Sequence, residues 1–401
     1  MKLFFLLISF AGLAFAAPDE EILGSKEGYP VCKPALAVAA APRCLVGTLS
    51  RMDEVVPARR VAKGDAASPL KRSEKEPRIV YQHQGGSRNV ERFLAEHRNT
   101  GLMILKGDTI LVERYQYERK PEHRFQSYSM AKTVVAMLIG ISLHEKSIKS
   151  IDDLAQAYVP ELKGHPYGET SLRHLLTMSS GVKFSENYDG KDDVSVLARK
   201  TFFQDGPGGA SSVLPFNERA RPAGERFYYA SAETEVLGLV LRAATGKPLA
   251  DYLSEKIWQP MGAEADATWL IDAGGYELGF MGLNATLRDW GRFGLLMAND
   301  GALNGRQIIP AAWVRAATTP EAPHLKVGVA TQFNGYGYQT WLISRNARQF
   351  ALLGVRGQAV FVDPASKVVV VHTAVHAGAR DPSRAEQFSL FYGAVSALSD
   401  L

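Results

Sequence analysis

The chain reads as an α/β (α+β) fold: an antiparallel sheet flanked by helices and built from both chain ends, with a mostly helical domain inserted between them. Three observations lead there. Strand-like runs of β-branched and aromatic residues cluster at 102–117 and again at 335–374. Between residues 129 and 329 the apolar positions recur mostly at helical spacing. A length of 401 residues with 46% apolar content is enough to bury a large core. The implied boundaries are 1–16 for a leader, 17–75 for an N-terminal extension, 76–128 with 330–401 for the α/β part, and 129–329 for the mainly helical part.

Met1 and Lys2 precede an apolar run, Leu3 to Leu13, that ends in Ala14-Phe15-Ala16. A charged start, an apolar middle and a small-residue exit are the marks of a secretory signal peptide, so the mature start is expected near Ala17 and the protein in the periplasm or outside the cell, with an uncleaved N-terminal anchor as the alternative. No later stretch is long and apolar enough to span a bilayer, so no membrane span remains after signal removal. Cys32 and Cys44 are the only cysteines, and in an oxidising compartment they are expected to pair as a disulfide. They lack the second pair of ligands that a zinc site needs, and no metal is indicated. The net charge of +4, or +3 once Lys2 is removed, is too mild to imply a nucleic-acid partner.

Residues 17–75 are Ala/Pro-rich around Pro34 to Pro42, then basic and polar, and few regular elements are expected there beyond a strap over the surface. A short amphipathic helix is expected over Asn89 to His97. Two strands, Leu102 to Leu105 and Thr109 to Tyr117, are joined by a hairpin turn at Gly107-Asp108. Helices are expected at Ser171 to Met178, Glu233 to Ala244 (closed by Gly246), Leu249 to Trp258 and Leu287 to Asn299. The stretch Asn187 to Gly209, with four aspartates and a PGG, reads as a mobile loop bordering a pocket. Strands are expected at Gly335 to Ile343, Phe350 to Leu353, Gln358 to Val362 and Val368 to Ala374, with a closing helix over Asp381 to Leu398.

Chemistry concentrates at Phe125 to Glu145, FQSYSMAKTVVAMLIGISLHE. From Met130 onward the composition reads as a buried helix with Ser129 in its first turn. Ser129 and Lys132 are three residues apart and so share a helix face, which can put the lysine amine beside the serine hydroxyl as a base beside its nucleophile. The helix N-terminus adds free N–H groups where an oxyanion would form. The same S-x-x-K spacing occurs at Ser68/Lys71, in a Pro-interrupted polar segment, and at Ser180/Lys183, where Gly181 breaks any helix. Only Ser129 opens a helix that can be buried. From this stretch alone, a plain helix cap with a solvated lysine remains an equal alternative.

Further along, Gly224-Glu225-Arg226-Phe227-Tyr228-Tyr229-Ala230-Ser231 is a glycine turn into aromatics, with Ser231 opening the next helix. The ordered set SMAK, GERFYYAS and ALLGVRGQAVFVDP resembles the serine β-lactamase and penicillin-binding superfamily, whose motifs are S-x-x-K, Y-x-N or Y-x-S, and K-x-G or H-x-G. Within the class C branch it is most similar to the 6-aminohexanoate-dimer hydrolases and related carboxylesterases, over roughly residues 80 to 400. The resemblance implies a β-lactamase-like fold and a cofactor-free serine hydrolase acting on a small ester or linear amide through an acyl-Ser129 intermediate, and the leader implies that it is exported. It assigns Lys132 as base, Tyr229 as the hydroxyl that passes a proton to the leaving group, and the backbone N–H groups of Ser129 and Val355 as the oxyanion hole. It makes Tyr188, Ser231, Gly354 and Arg356 the substrate-binding positions. Whether Lys132 or Tyr229 takes the first proton is open at this level, since burial favours a neutral lysine and a nearby cation favours a phenolate.

One motif departs from the pattern. The position that carries Lys or His in β-lactam-binding relatives falls on Leu352, which cannot engage a carboxylate. That favours esters or amides without an obligatory carboxylate, unless Arg356 turns into the pocket. A DD-peptidase or β-lactamase, and a non-catalytic penicillin-binding-like scaffold, are the standing alternatives. No G-x-S-x-G, H-E-x-x-H or G-x-x-x-x-G-K-[ST] motif is present.

Overall fold

Val368–Ala374 is buried on both faces over its whole length and forms the middle of an eight-stranded sheet. The computed structural model describes residues 17–33 and 41–399. The leader expected at 1–16 and most of the Pro34 to Pro42 stretch lie outside the described residues.

In chain order the strands of the large sheet are β1 (Lys71–Arg72), β2 (Asn99–Lys106), β3 (Thr109–Tyr115), β4 (Gly335–Tyr336), β5 (Trp341–Leu342), β6 (Phe350–Leu353), β7 (Ala359–Asp363) and β8 (Val368–Ala374). Their spatial order is β4-β5-β6-β7-β8-β2-β3-β1, antiparallel except where β1 runs parallel to β3. The sheet is thus built from both chain ends, as the sequence predicts.

Alternation along each strand sorts side chains to two cores. Met103, Leu105, Val360, Val362, Val369 and Val371 face one apolar cluster. Leu102, Ile104, Phe361, Val368 and Val370 face the other. With both faces covered, these strands read as continuous apolar runs.

Four helices flank the sheet or border the site: α1 (Ala131–His144), α2 (Ser231–Thr245), α3 (Leu287–Ala298) and α4 (Ser383–Leu398). On the first cluster's face α3 lies close, with Gly291 and Gly294 toward Met103 and Val369. The opposite face is covered by α4 and by the short helix Val90–Glu96, which Asn89 caps by accepting from the Arg92 N–H at 3.0 Å.

A second, four-stranded antiparallel sheet was not foreseen. It runs Ala58–Val61, Ala267–Leu270, Leu283–Thr286, Arg124–Gln126. The N-terminal extension is therefore more than a strap. It contributes a strand to each sheet, and its helix Leu45–Ser50 is buried throughout. Short polar strands such as ARRV carry little pattern of their own, and only a partner distant in sequence makes them a ladder. Cys32 and Cys44 are bonded, with their Cα atoms 5.7 Å apart. Among the described residues no helix is long and apolar enough to cross a membrane.

Two other elements differ from expectation. Gly335 to Ile343 is broken into β4 and β5 by a turn in which Gln339 adopts φ 50°. Asn187 to Gly209 contains a helix, Asp193–Lys200, because Asp192 caps it at the Ser195 N–H.

The helix α1 is apolar all round and buried from Ala131 to Ser142, which suits a helix enclosed on every side. At Gly140 it meets Trp313, whose Nε1–H donates to the Ala136 carbonyl at 2.9 Å. A Cβ at Gly140 would lie 2.1 Å from the Trp313 ring. We expect Gly140→Ala to lower unfolding free energy by about 1–3 kcal/mol through overpacking, measured as a lower urea midpoint at unchanged m-value. An unchanged midpoint would contradict this packing.

Candidate active site

The small sheet and the large sheet meet at Ser129. The strand Arg124–Gln126 leads into it, and the Ser127 N–H donates to the Leu283 carbonyl at 2.9 Å, which fixes the entry of the chain. A 3₁₀ turn, Tyr128–Met130, with Tyr128 at φ 45°, then lifts Ser129 onto the start of α1. From the other side the end of β6 comes so close that a Cβ on Gly354 would sit 2.4 Å from the Ser127 carbonyl oxygen. Glycine is required for that approach, and it brings Val355 alongside the serine. Ser129, Gly354 and Val355 line one cavity of about 540 Å³ together with Glu186, Tyr188, Tyr229 and Trp341.

Lys132 is 1% exposed. Its Nζ donates to Ser129 Oγ at 2.9 Å and to the Phe280 carbonyl at 2.9 Å. The same Nζ lies 5.2 Å from the ring centre of Tyr229 and 5.5 Å from that of Phe280. Burial lowers its pKa to about 8, while the negative fields of Glu186 and then Glu235 act in the opposite direction. Burial thus moves the amine toward its neutral form, the form that could accept a proton from the hydroxyl it touches. Glu235 is shifted up to about 8, by burial and by Asp272, against the N–H groups of Gly279 and Phe280 and the Lys132 charge. It accepts from the Gly279 N–H at 2.9 Å and so anchors the loop that offers the Phe280 carbonyl.

Tyr229 stacks on Trp341, with ring centres 5.3 Å apart and 20° between planes. Burial raises its pKa and Glu186 adds to that, while a hydrogen bond with the Ser129 side chain opposes both. Burial thus holds the Tyr229 hydroxyl toward its protonated form while it pulls Lys132 toward its neutral one.

Sequence reasoning missed Glu186, which lies two residues before Tyr188 with no motif to mark it. It is 7% exposed. Its Oε1 accepts from Ser231 Oγ at 2.9 Å and from the Tyr188 hydroxyl at 2.6 Å, and its Oε2 accepts from the Ser231 N–H at 2.9 Å. Tyr188 and Ser231, two of the four residues expected to bind substrate, are thus tied to one carboxylate. Ser231 is buried behind the wall, while Tyr188, at φ 63°, lines the cavity. The backbone N–H groups of Asn187 and Tyr188 both donate to Asp192 at 2.6 Å. Burial pushes the Asp192 carboxyl up, but these bonds and those from Ser195 outweigh it and leave its pKa lowered.

Arg356 does not reach the substrate space. At φ 58° its backbone turns the side chain away, and its guanidinium donates to the carbonyls of His376 at 2.9 Å and Ala377 at 2.8 Å. Leu352 is fully buried in the core, so the third motif supplies no cation. Sequence reading also missed Trp341, Arg380 and Arg384 as lining residues, because each comes from an element without a motif. Among the described residues no group of three or more His, Cys, Asp or Glu is placed to hold a metal ion.

Comparison with known proteins identifies the family. A family model described as Beta-lactamase covers residues 87–387. The chain is 27% identical over 338 residues to a 6-aminohexanoate-dimer hydrolase from Paenarthrobacter ureafaciens, covering 80% of this chain and 83% of that protein. It superposes with a TM-score of 0.80 on a Bacillus anthracis chain provisionally assigned as a 6-aminohexanoate-dimer hydrolase, at 25% identity over 90% of this chain and 94% of that one. A family VIII carboxylesterase shares the fold at a TM-score of 0.58 and 17% identity, over 76% of this chain and 93% of that one. A Ser/Lys pair opening a buried helix, a tyrosine beside it and a glycine-allowed strand end across from it thus lie within the span of that model: the chain belongs to the β-lactamase family and is a hydrolase of the serine β-lactamase-like superfamily.

Proposed function

We propose that this protein cleaves ester or linear amide bonds of small molecules through an acyl-Ser129 intermediate, with no cofactor. The observation that carries the reading is the 2.9 Å contact between Ser129 Oγ and a buried Lys132 whose pKa is lowered to about 8. Ser129 Oγ attacks the carbonyl carbon while Lys132 Nζ takes its proton. The carbonyl oxygen becomes an oxyanion, and the backbone N–H groups of Ser129 and Val355 stabilise it. The tetrahedral species collapses by breaking the bond to the leaving oxygen or nitrogen, which receives the Tyr229 hydroxyl proton. Tyr229 recovers a proton from the Lys132 ammonium. Water then repeats the sequence on the acyl-enzyme and releases the acid.

The test is hydrolysis of a short-chain p-nitrophenyl ester. Ser129→Ala and Lys132→Ala are each expected to lower turnover by about 10³-fold or more, with the circular dichroism spectrum retained. Equal turnover by all three proteins would reject the site.

The pH profile carries a second expectation. Lys132 acts only when neutral, so kcat/KM climbs with pH and levels off near the Lys132 pKa of about 8. Glu186 raises that pKa, so Glu186→Gln removes a negative charge, lowers the pKa further and moves the rising limb to lower pH. A limb that stays in place, or moves to higher pH, contradicts the assignment of Lys132 as base.

Export to the periplasm or beyond is part of the same reading. The Met1 to Ala16 leader and the Cys32–Cys44 bond both support it. Protein recovered from its native host should begin near Ala17 by intact mass. A cytosolic chain that retains Met1 to Ala16 would overturn the export assignment.

A further inference from the structure

A second cavity, of about 570 Å³, shares no lining residue with the Ser129 cavity. It opens between the chain that follows the helix Ala311–Ala317 and the connection from β5 to β6. Side chains alternate across a strand, and in β5 Trp341 lines the Ser129 cavity while Leu342 lines this one, so the strand separates the two spaces. No residue of the three motifs lines it.

Its lining carries positive charge without an acid. Lys326, Arg345 and Arg348 line it, and no Asp or Glu does. Arg348 is answered from outside by Asp300, with Nη2 2.6 Å from Oδ1, and its Nη1 donates to Thr318 Oγ1 at 3.3 Å, which ties the two segments together. Lys326 and Arg345 have no such partner: among the described residues neither side chain makes a hydrogen bond, an ion pair or a ring contact.

Arg345 is placed all the same. A Cβ on Gly328 would lie 2.1 Å from its Nη2, and Gly328 has φ 85°, so glycine is what lets the guanidinium pack there. It rests against the turn that Lys326 opens, in which the Lys326 carbonyl accepts from the Val329 and Ala330 N–H groups at 3.0 Å. Two segments thus bring like charges to one cavity, a repulsion that an anion between them relieves. A further donor lies in the wall: Ser344 Oγ accepts from the Asn346 and Ala347 N–H groups at 3.3 and 3.2 Å, which leaves its hydroxyl proton to donate.

We infer that this cavity is a binding site for a small phosphate-type anion, inorganic phosphate or a phosphomonoester, held between Lys326 and Arg345. A planar carboxylate is satisfied by one guanidinium fork. A tetrahedral dianion accepts on several sides and uses the fork, the ammonium and the hydroxyl together. Binding here does not depend on the reaction at Ser129.

Isothermal titration calorimetry of the unmodified protein with inorganic phosphate and with glycerol 3-phosphate tests the inference. Each is expected to bind to a single site, more weakly as sodium chloride is raised. Lys326→Gln and Arg345→Gln should each weaken binding by about tenfold or more, with the urea midpoint unchanged because both side chains are exposed. Arg380→Gln, which alters the Ser129 cavity, should leave binding in place. Tighter binding of glycerol 3-phosphate identifies an organic ester as the natural occupant, and equal or tighter binding of inorganic phosphate identifies the ion itself. The inference is overturned if neither anion binds, if binding survives unchanged in Lys326→Gln and Arg345→Gln, if it is lost in Arg380→Gln instead, or if acetate binds as tightly as phosphate.

Discussion

The structure depends on one buried amine. Lys132 has almost no contact with water, and its Nζ has only the Ser129 hydroxyl and the Phe280 carbonyl as polar neighbours within hydrogen-bonding distance among the described residues. A lysine in that position is costly when charged and poorly anchored when neutral. The surroundings offset both problems. An apolar helix carries the lysine, the Phe280 carbonyl orients it, and the nearby carboxylates keep the desolvation from driving its pKa lower than about 8. The serine hydroxyl completes the set of contacts. The same arrangement that satisfies a buried polar group therefore sets an amine shifted toward its neutral form beside the Ser129 hydroxyl.

Glu186 extends this logic to the cavity wall. The Glu186 carboxylate faces three donors, the Tyr188 hydroxyl and the two polar hydrogens of Ser231. One side chain thereby sets the position of a wall tyrosine, anchors the start of α2 and contributes to the field at Lys132. Tyr229 shares that field, with its ring held against Trp341. Proton-carrying groups with displaced pKa values around a single cavity are what acyl transfer near neutral pH requires.

Positioning comes from two sheets that approach the serine from opposite sides. The small sheet delivers the chain into the Tyr128–Met130 turn, and the large sheet brings the end of β6 against it at Gly354. The approach tolerates no side chain on the strand at that point. Rigid elements on both sides keep the serine and the facing Val355 in register, whereas a site made of free loops would have to order itself at each encounter.

Much of this is legible in the amino-acid order. The strand and helix periods predict a sheet built from both termini, and most elements lie within a few residues of their expected positions. Ser129 and Lys132 stand out because their chemistry is local, a helix start and an i, i+3 pair, whereas Tyr229, Gly354 and Val355 are picked out by the resemblance that the ordered motifs carry. The small sheet is not legible there, since strands such as Ala58–Val61 have meaning only beside Ala267–Leu270, more than 200 residues away. Nor are the partners of Ser231 and Tyr188, or the direction of Arg356, whose turn with φ 58° points its guanidinium at backbone carbonyls. What the sequence determined by itself was the set of groups that fall on one face of one helix or in one turn. The tertiary structure decided which distant charges surround them, because an electrostatic field acts through space and depends on burial and distance, neither of which can be read from order along the chain.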